Sequence, residues 1–134
     1  MRQSFNIDVS YRQLAIFSPD LDNPFKDWTE EAFAVGFSWR PESCSFSADE
    51  DGAHQVDVIV DDTFPEPAPD AVRSIEVMLD IGRIAELEVA SISESRVMPL
   101  RPGRYRVRSE YIPAASVAVP RFILALVPVL TPVP

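Results

Sequence analysis

Gly103-Arg-Tyr-Arg-Val-Arg-Ser-Glu-Tyr111 decides the fold. Tyr105, Val107 and Ser109 fall on one side of the alternation and Arg104, Arg106 and Arg108 on the other. This period of two belongs to a strand with one buried face. The same reading extends in both directions. Ser4–Ser10 puts Phe5, Ile7 and Val9 on one face, and Tyr11–Phe17 continues it after a bulge. Ser43–Ala48 forms a short strand around Cys44 and Phe46. Asp49-Glu-Asp-Gly52 then turns the chain, and Gln55–Val60 pairs back on it. Val72–Leu79 and Ile84–Ile92 alternate as well, and Pro99–Gly103 is a turn. The last strand is Val119–Val127, where Pro120 and Pro128 point to a position near a sheet edge. Eight strands at short spacing predict an all-β fold, an antiparallel β-sandwich.

One helix interrupts the pattern. Asp27 and Glu30 have the spacing of a capping box, Glu30 and Glu31 lie where the helix dipole favours anions, and Gly36 supplies a left-handed stop. Thr29 is the rival cap. The predicted helix runs for about two turns, from Asp27 to Val35.

The chain has 134 residues, 46% of them hydrophobic, which suits one domain over 1–134. Thirteen prolines against four glycines exclude a bundle of long helices. The apolar C-terminal run from Phe122 is broken at Pro128 and is too short for a membrane helix. No apolar run precedes Asp8, which predicts no signal peptide, and a single cysteine fits a reducing compartment. A cytoplasmic protein is the expectation.

The 12 basic and 21 acidic residues leave a net charge of −9. Between Arg40 and Arg73 there is no Lys or Arg, but there are nine acids: Glu42, Asp49, Glu50, Asp51, Asp57, Asp61, Asp62, Glu66 and Asp70. Pro65, Pro67 and Pro69 make the end of this window a stiff, extended loop. From Arg96 to Arg121 six arginines stand against Glu110 alone. The chain is a dipole along its length. Its net acidity argues against direct binding to nucleic acid and favours a basic protein partner.

Little chemistry is visible. His54, the sole histidine, reads as a surface residue of a hairpin, with no nucleophile at fixed spacing. Cys44 reads as a small buried hydrophobe. Asp49-Glu-Asp-Gly52 resembles the start of a calcium loop, but Val60 stands where the bidentate acid belongs. No acid–base pair suggests an enzyme, and no cofactor or metal is implied. An alternative reading is a calcium- or carbohydrate-binding sandwich module, using Trp28, Trp39 and the acidic loops, with Asp61 and Asp62 at an edge.

Two segments carry a resemblance. Ser10-Tyr-Arg-Gln-Leu-Ala-Ile-Phe17, Asp27-Trp-Thr-Glu-Glu-Ala32, Gly36-Phe37 and Ser45-Phe46 form the first. Met98-Pro-Leu-Arg-Pro-Gly-Arg-Tyr-Arg-Val107 with Ile112-Pro113 forms the second. Together they resemble competence protein J, a bacterial family whose namesake inhibits the DNA-entry nuclease of the competence system. The match spans about residues 8 to 113, and the Asp27–Ala32 helix start is its most specific piece. The resemblance implies a binding protein rather than an enzyme, with an associated nuclease as partner. The acidic window is the natural contact surface. Asp49, Glu50, Asp51, Asp61 and Asp62, with Trp28, are its candidate partner-binding residues.

Overall fold

The alternating stretch at Gly103–Ile112 forms the longest strand of a two-sheet sandwich. The computed structural model describes residues 1–19, 37–40, 43–115 and 118–129. The predicted helix at 27–35 lies outside the described residues. Among the described residues the ten strands are β1 (Arg2–Val9), β2 (Gln13–Phe17), β3 (Phe37–Arg40), β4 (Ser43–Ser47), β5 (Gly52–Val60), β6 (Arg73–Ile81), β7 (Glu86–Ala90), β8 (Ser95–Pro99), β9 (Gly103–Ile112) and β10 (Arg121–Pro128). The first sheet has the order β1-β5-β10-β9-β6 and the second β3-β4-β2-β7-β8. The all-β class is as expected. The two strands beyond the expected eight are β3 and β8. Both are short edge strands of the second sheet; β3 has only four residues, and in β8 only Met98 is buried, so no alternation marks it.

The core lies between the sheets. Ile7, Val56, Val58, Val107, Phe122, Leu124 and Leu126 from the first meet Leu14, Ile16, Phe46, Leu87, Val89 and Met98 from the second. Cys44 is buried among them. Full burial of each large aliphatic side chain stabilises the fold by about 1.5–3 kcal/mol. Tyr105 closes one end by donating its hydroxyl to Arg101 O at 2.6 Å.

Three connections differ from the sequence reading. Tyr11–Phe17 does not continue β1 past a bulge. Tyr11 and Arg12 have φ of 56° and 52°, Gln13 N–H donates to Ser10 O at 3.3 Å, and the chain passes from the first sheet into the second. Nor does β5 pair back on β4. The Asp49–Gly52 turn crosses between sheets, and β5 pairs with β1 and β10, because the apolar face of each strand needs the opposite layer rather than a neighbour in one sheet. Third, β10 is the central strand of its sheet, not an edge. It runs antiparallel to β9 and parallel to β5, so the sandwich is mainly, not wholly, antiparallel. Pro120 precedes the strand and Pro128 ends it, outside the ladder to β5, which runs from Arg121 to Leu126. A missing N–H therefore breaks no bond there.

The open edges are blunted. Asn6 O on the free side of β1 accepts from Arg96 Nη2 at 3.4 Å, and Asp8 O accepts from the Ser91 hydroxyl at 2.5 Å. Pro99 leaves β8 one donor short. Such devices discourage strand-to-strand association between chains.

Candidate functional site

The turn at Asp49–Gly52 is built on a buried polar cluster. His54 is in phase with Val56 and Val58 and so faces inward, completely buried. It is not the surface residue that its hairpin position suggests. Its Nδ1 lies 2.9 Å from Gly52 O, which only a donated proton satisfies. Nε2 lies 3.1 Å from the Tyr111 hydroxyl, and in the neutral imidazole it accepts from it. That hydroxyl in turn accepts the Asp49 N–H at 3.1 Å. Tyr111 and Phe122 pack edge to face, with ring centroids 4.9 Å apart. Burial raises the Tyr111 pKa above its ordinary value, outweighing the hydrogen bond from Asp49.

Arg73 binds the turn from the side. It donates to Asp49 Oδ1 at 2.8 Å and to Ser47 O at 3.0 Å, and its guanidinium lies 4.7 Å from the Tyr111 ring centroid. Asp51 Oδ1 accepts the Arg12 N–H at 2.7 Å, which ties this turn to the Tyr11–Arg12 turn. Glu50 is exposed between them. The result is a rigid, acidic, solvent-facing tip at one end of the sandwich.

The remaining acids lie elsewhere. Asp61 and Asp62 follow the far end of β5, whose nine residues span roughly 30 Å. They are exposed. Asp57, midway along β5, is buried on the outer side of its sheet and holds no partner-facing charge. Its carboxylate accepts from Ser4 Oγ (2.7 Å), Gln55 Nε2 (3.1 Å) and Arg121 Nε (2.8 Å). Burial alone would raise its pKa. The three hydrogen bonds and the Arg121 charge together bring it below the ordinary value. Glu42 and Trp28 lie outside the described residues, and Trp39 is on β3.

Nor do the arginines form a free basic surface. The proline loop after β5 crosses the outer face of β9. Arg108 donates to Pro65 O at 2.7 Å, Ala68 N–H donates to Glu110 Oε2 at 2.9 Å, and Phe64 lies 5.0 Å from both the Arg106 and Arg108 guanidinium carbons. Five of the six arginines pair with an acid: Arg96 with Glu94, Arg104 with Asp80, Arg106 with Glu76, Arg108 with Glu110 and Arg121 with Asp57. Only Asp57 among these partners comes from the acidic window, so the basic stretch is neutralised mostly by acids outside it. Periodicity placed the arginines outward but gave no sign that a loop from the acidic window would cover them.

Among the described residues, no three His, Cys, Asp or Glu side chains gather to hold a metal ion. Among the described residues no helix is long and apolar enough to cross a membrane.

The family model for Competence protein J (ComJ) matches residues 6–126. Among solved structures, the chain is similar to the crystal structure of ComJ from Bacillus subtilis, an inhibitor of the DNA-degrading activity of NucA. The TM-score is 0.84 at 21% identity, over 95% of this chain and 96% of that one. It is also similar to the structure of crocagin biosynthetic gene J, with a TM-score of 0.69 at 16% identity, over 96% of this chain and 97% of that one. No curated protein sequence matches the chain. The structural likenesses carry the fold, and the family model, which takes in β5, β9 and both tip turns, carries membership. The chain belongs to the competence protein J family.

Proposed function

We propose that the chain is a non-enzymatic inhibitor that blocks a nuclease with a basic surface by protein–protein contact. The observation that carries this reading is the likeness to the NucA inhibitor ComJ over 95% of the chain, within one family. Charge supports it. A net −9 repels DNA and complements the basic groove that a nuclease presents to phosphates. In this reading the contact is the Asp49-Glu50-Asp51 tip, whose backbone is already ordered by Tyr111 and Arg12, so little entropy is lost on docking. Asp61 and Asp62, at the other end of β5, lie outside this contact and add only weakly to the attraction. Trp28 remains a candidate contact. The protein binds the enzyme and not its DNA.

The test is a DNA-degradation assay with the NucA-type nuclease of the same organism. Addition of the purified chain in near-equimolar amount is expected to suppress cleavage, with no shift of the DNA by the chain alone. Full nuclease activity at tenfold molar excess of the chain overturns the reading.

A further inference from the structure

Tyr11 and Arg12, consecutive and neither of them glycine, both lie in the left-handed region, with φ of 56° and 52°. This is the geometry of a type I′ turn, which Asn-Gly fills without strain. Here the strain is held in place. Arg12 N–H donates to Asp51 Oδ1 at 2.7 Å, Ala48 N–H donates to Arg12 O at 2.9 Å, and the Ser10 and Ser93 hydroxyls meet at 2.9 Å. Tyr11 itself adds nothing to the core. It is 69% exposed, the most exposed large apolar side chain among the described residues, and Ile92, next to Ser93, is 56% exposed. Strained backbone persists where the surroundings over-determine it, and such sites cluster at functional positions. Tyrosine is also a residue type enriched among the few side chains that carry most of an interface's affinity.

We propose that Tyr11 is the anchor of the interface: it enters an apolar pocket on the nuclease, and the rim of that pocket carries lysine or arginine side chains that meet Glu50 and Asp51. The inference rests on the inhibitor reading above and adds to it the side chain that supplies affinity and the shape of its receptor. Charge sets the choice of receptor. Asp51 is bonded to the same turn, so an apolar pocket without a basic rim would strip water from the carboxylates and return nothing.

The experiment measures binding of the full chain to the purified NucA-type nuclease of the same organism by surface plasmon resonance, with melting temperatures in parallel. Tyr11→Ala is expected to weaken affinity by about thirtyfold or more, mainly through faster dissociation, at unchanged melting temperature. Tyr11→Phe keeps affinity within about threefold, because the ring fills the pocket. The double variant Tyr11→Asn/Arg12→Gly relieves the turn, so it melts higher and still binds as weakly as Tyr11→Ala. A merely structural role would move stability and affinity in the same direction. Affinity of Tyr11→Ala within twofold of the wild type, or wild-type affinity in the double variant, overturns the anchor. If the wild type still blocks the nuclease in that case, the inhibitor reading stands. A wild-type chain that neither binds nor inhibits the nuclease overturns both.

Discussion

Asp57 joins three strands of the first sheet through one carboxylate: Ser4 on β1, Gln55 on its own strand and Arg121 on β10. Because its folded pKa is lowered, it stabilises the fold fully above the unfolded-state aspartate pKa of about 3.9. That contribution fades as the pH falls below this value and is gone once the pH passes the lowered folded pKa. Asp57→Asn turns an amide N–H toward donors that expect an acceptor. Arg121 is partly exposed and can still reach water, so the expected loss at pH 7 is about 1–3 kcal/mol. Melting curves at pH 7 and in steps down through pH 3 check this: the variant should lose stability less steeply than the wild type in the acid range. A parallel acid limb in both proteins would show that Asp57 is not the titrating group. The sequence made Asp57 only one of nine acids in a window. Its alternation with the apolar face of β5 was legible, but Arg121 lies 64 residues away, a partnership no local pattern announces. His54 was legible in the same way and misjudged. Its phase with Val56 pointed inward, and only the hydrogen bonds at both ring nitrogens explain how the core tolerates it.

At the scale of the element, β10 shows what a strand's place in a sheet is worth. Leu124 is fully buried at its centre, flanked by β5 on one side and β9 on the other. Leu124→Ala is expected to cost about 2–5 kcal/mol, read as a lowered midpoint in urea unfolding. Val97, on edge strand β8 and 48% exposed, should change stability by no more than about 0.5 kcal/mol when replaced by alanine. Equal losses at the two positions would contradict the strand order. The strand itself was plain from Phe122–Val127. Its prolines suggested an edge, but the near-continuous apolar run was the better guide. A run without polar alternation belongs to a strand covered on both faces, and Ala125 on the outer face is indeed buried.

For the whole molecule, the five candidate contact acids fall into two separate groups. The Asp49–Asp51 tip and the Asp61–Asp62 pair sit at opposite ends of β5, roughly 30 Å apart. That is several Debye lengths at physiological salt, about 8 Å each, so a partner docked at one end feels the other group weakly. Glu50→Gln with Asp51→Asn is therefore expected to slow association with the nuclease about tenfold at low salt. Asp61→Asn with Asp62→Asn should slow it by less than about threefold. Stopped-flow association rates at two ionic strengths separate the cases, and a larger effect from the Asp61–Asp62 pair would move the contact to the other end of the sandwich. Amides keep the acceptor that holds Arg12, so melting temperatures should stay within a few degrees.

The linear chain sets the class of fold, because a side-chain period of two is a local property that any half-buried strand must display. It also carried the family, in the motifs around Tyr11 and Gly103, and it located the turn at Asp49–Gly52. Tertiary packing sets which strands pair, since pairing depends on which apolar faces meet across the layers and not on neighbours in the chain. That is why β5 leaves β4 for β1 and β10. It also decided the fate of the charges. The proline loop lies across β9, the arginines of the basic block pair mostly with acids from outside the acidic block, and most of the acidic block stays exposed, with a tip at one end of β5 and Asp61, Asp62, Glu66 and Asp70 after the other.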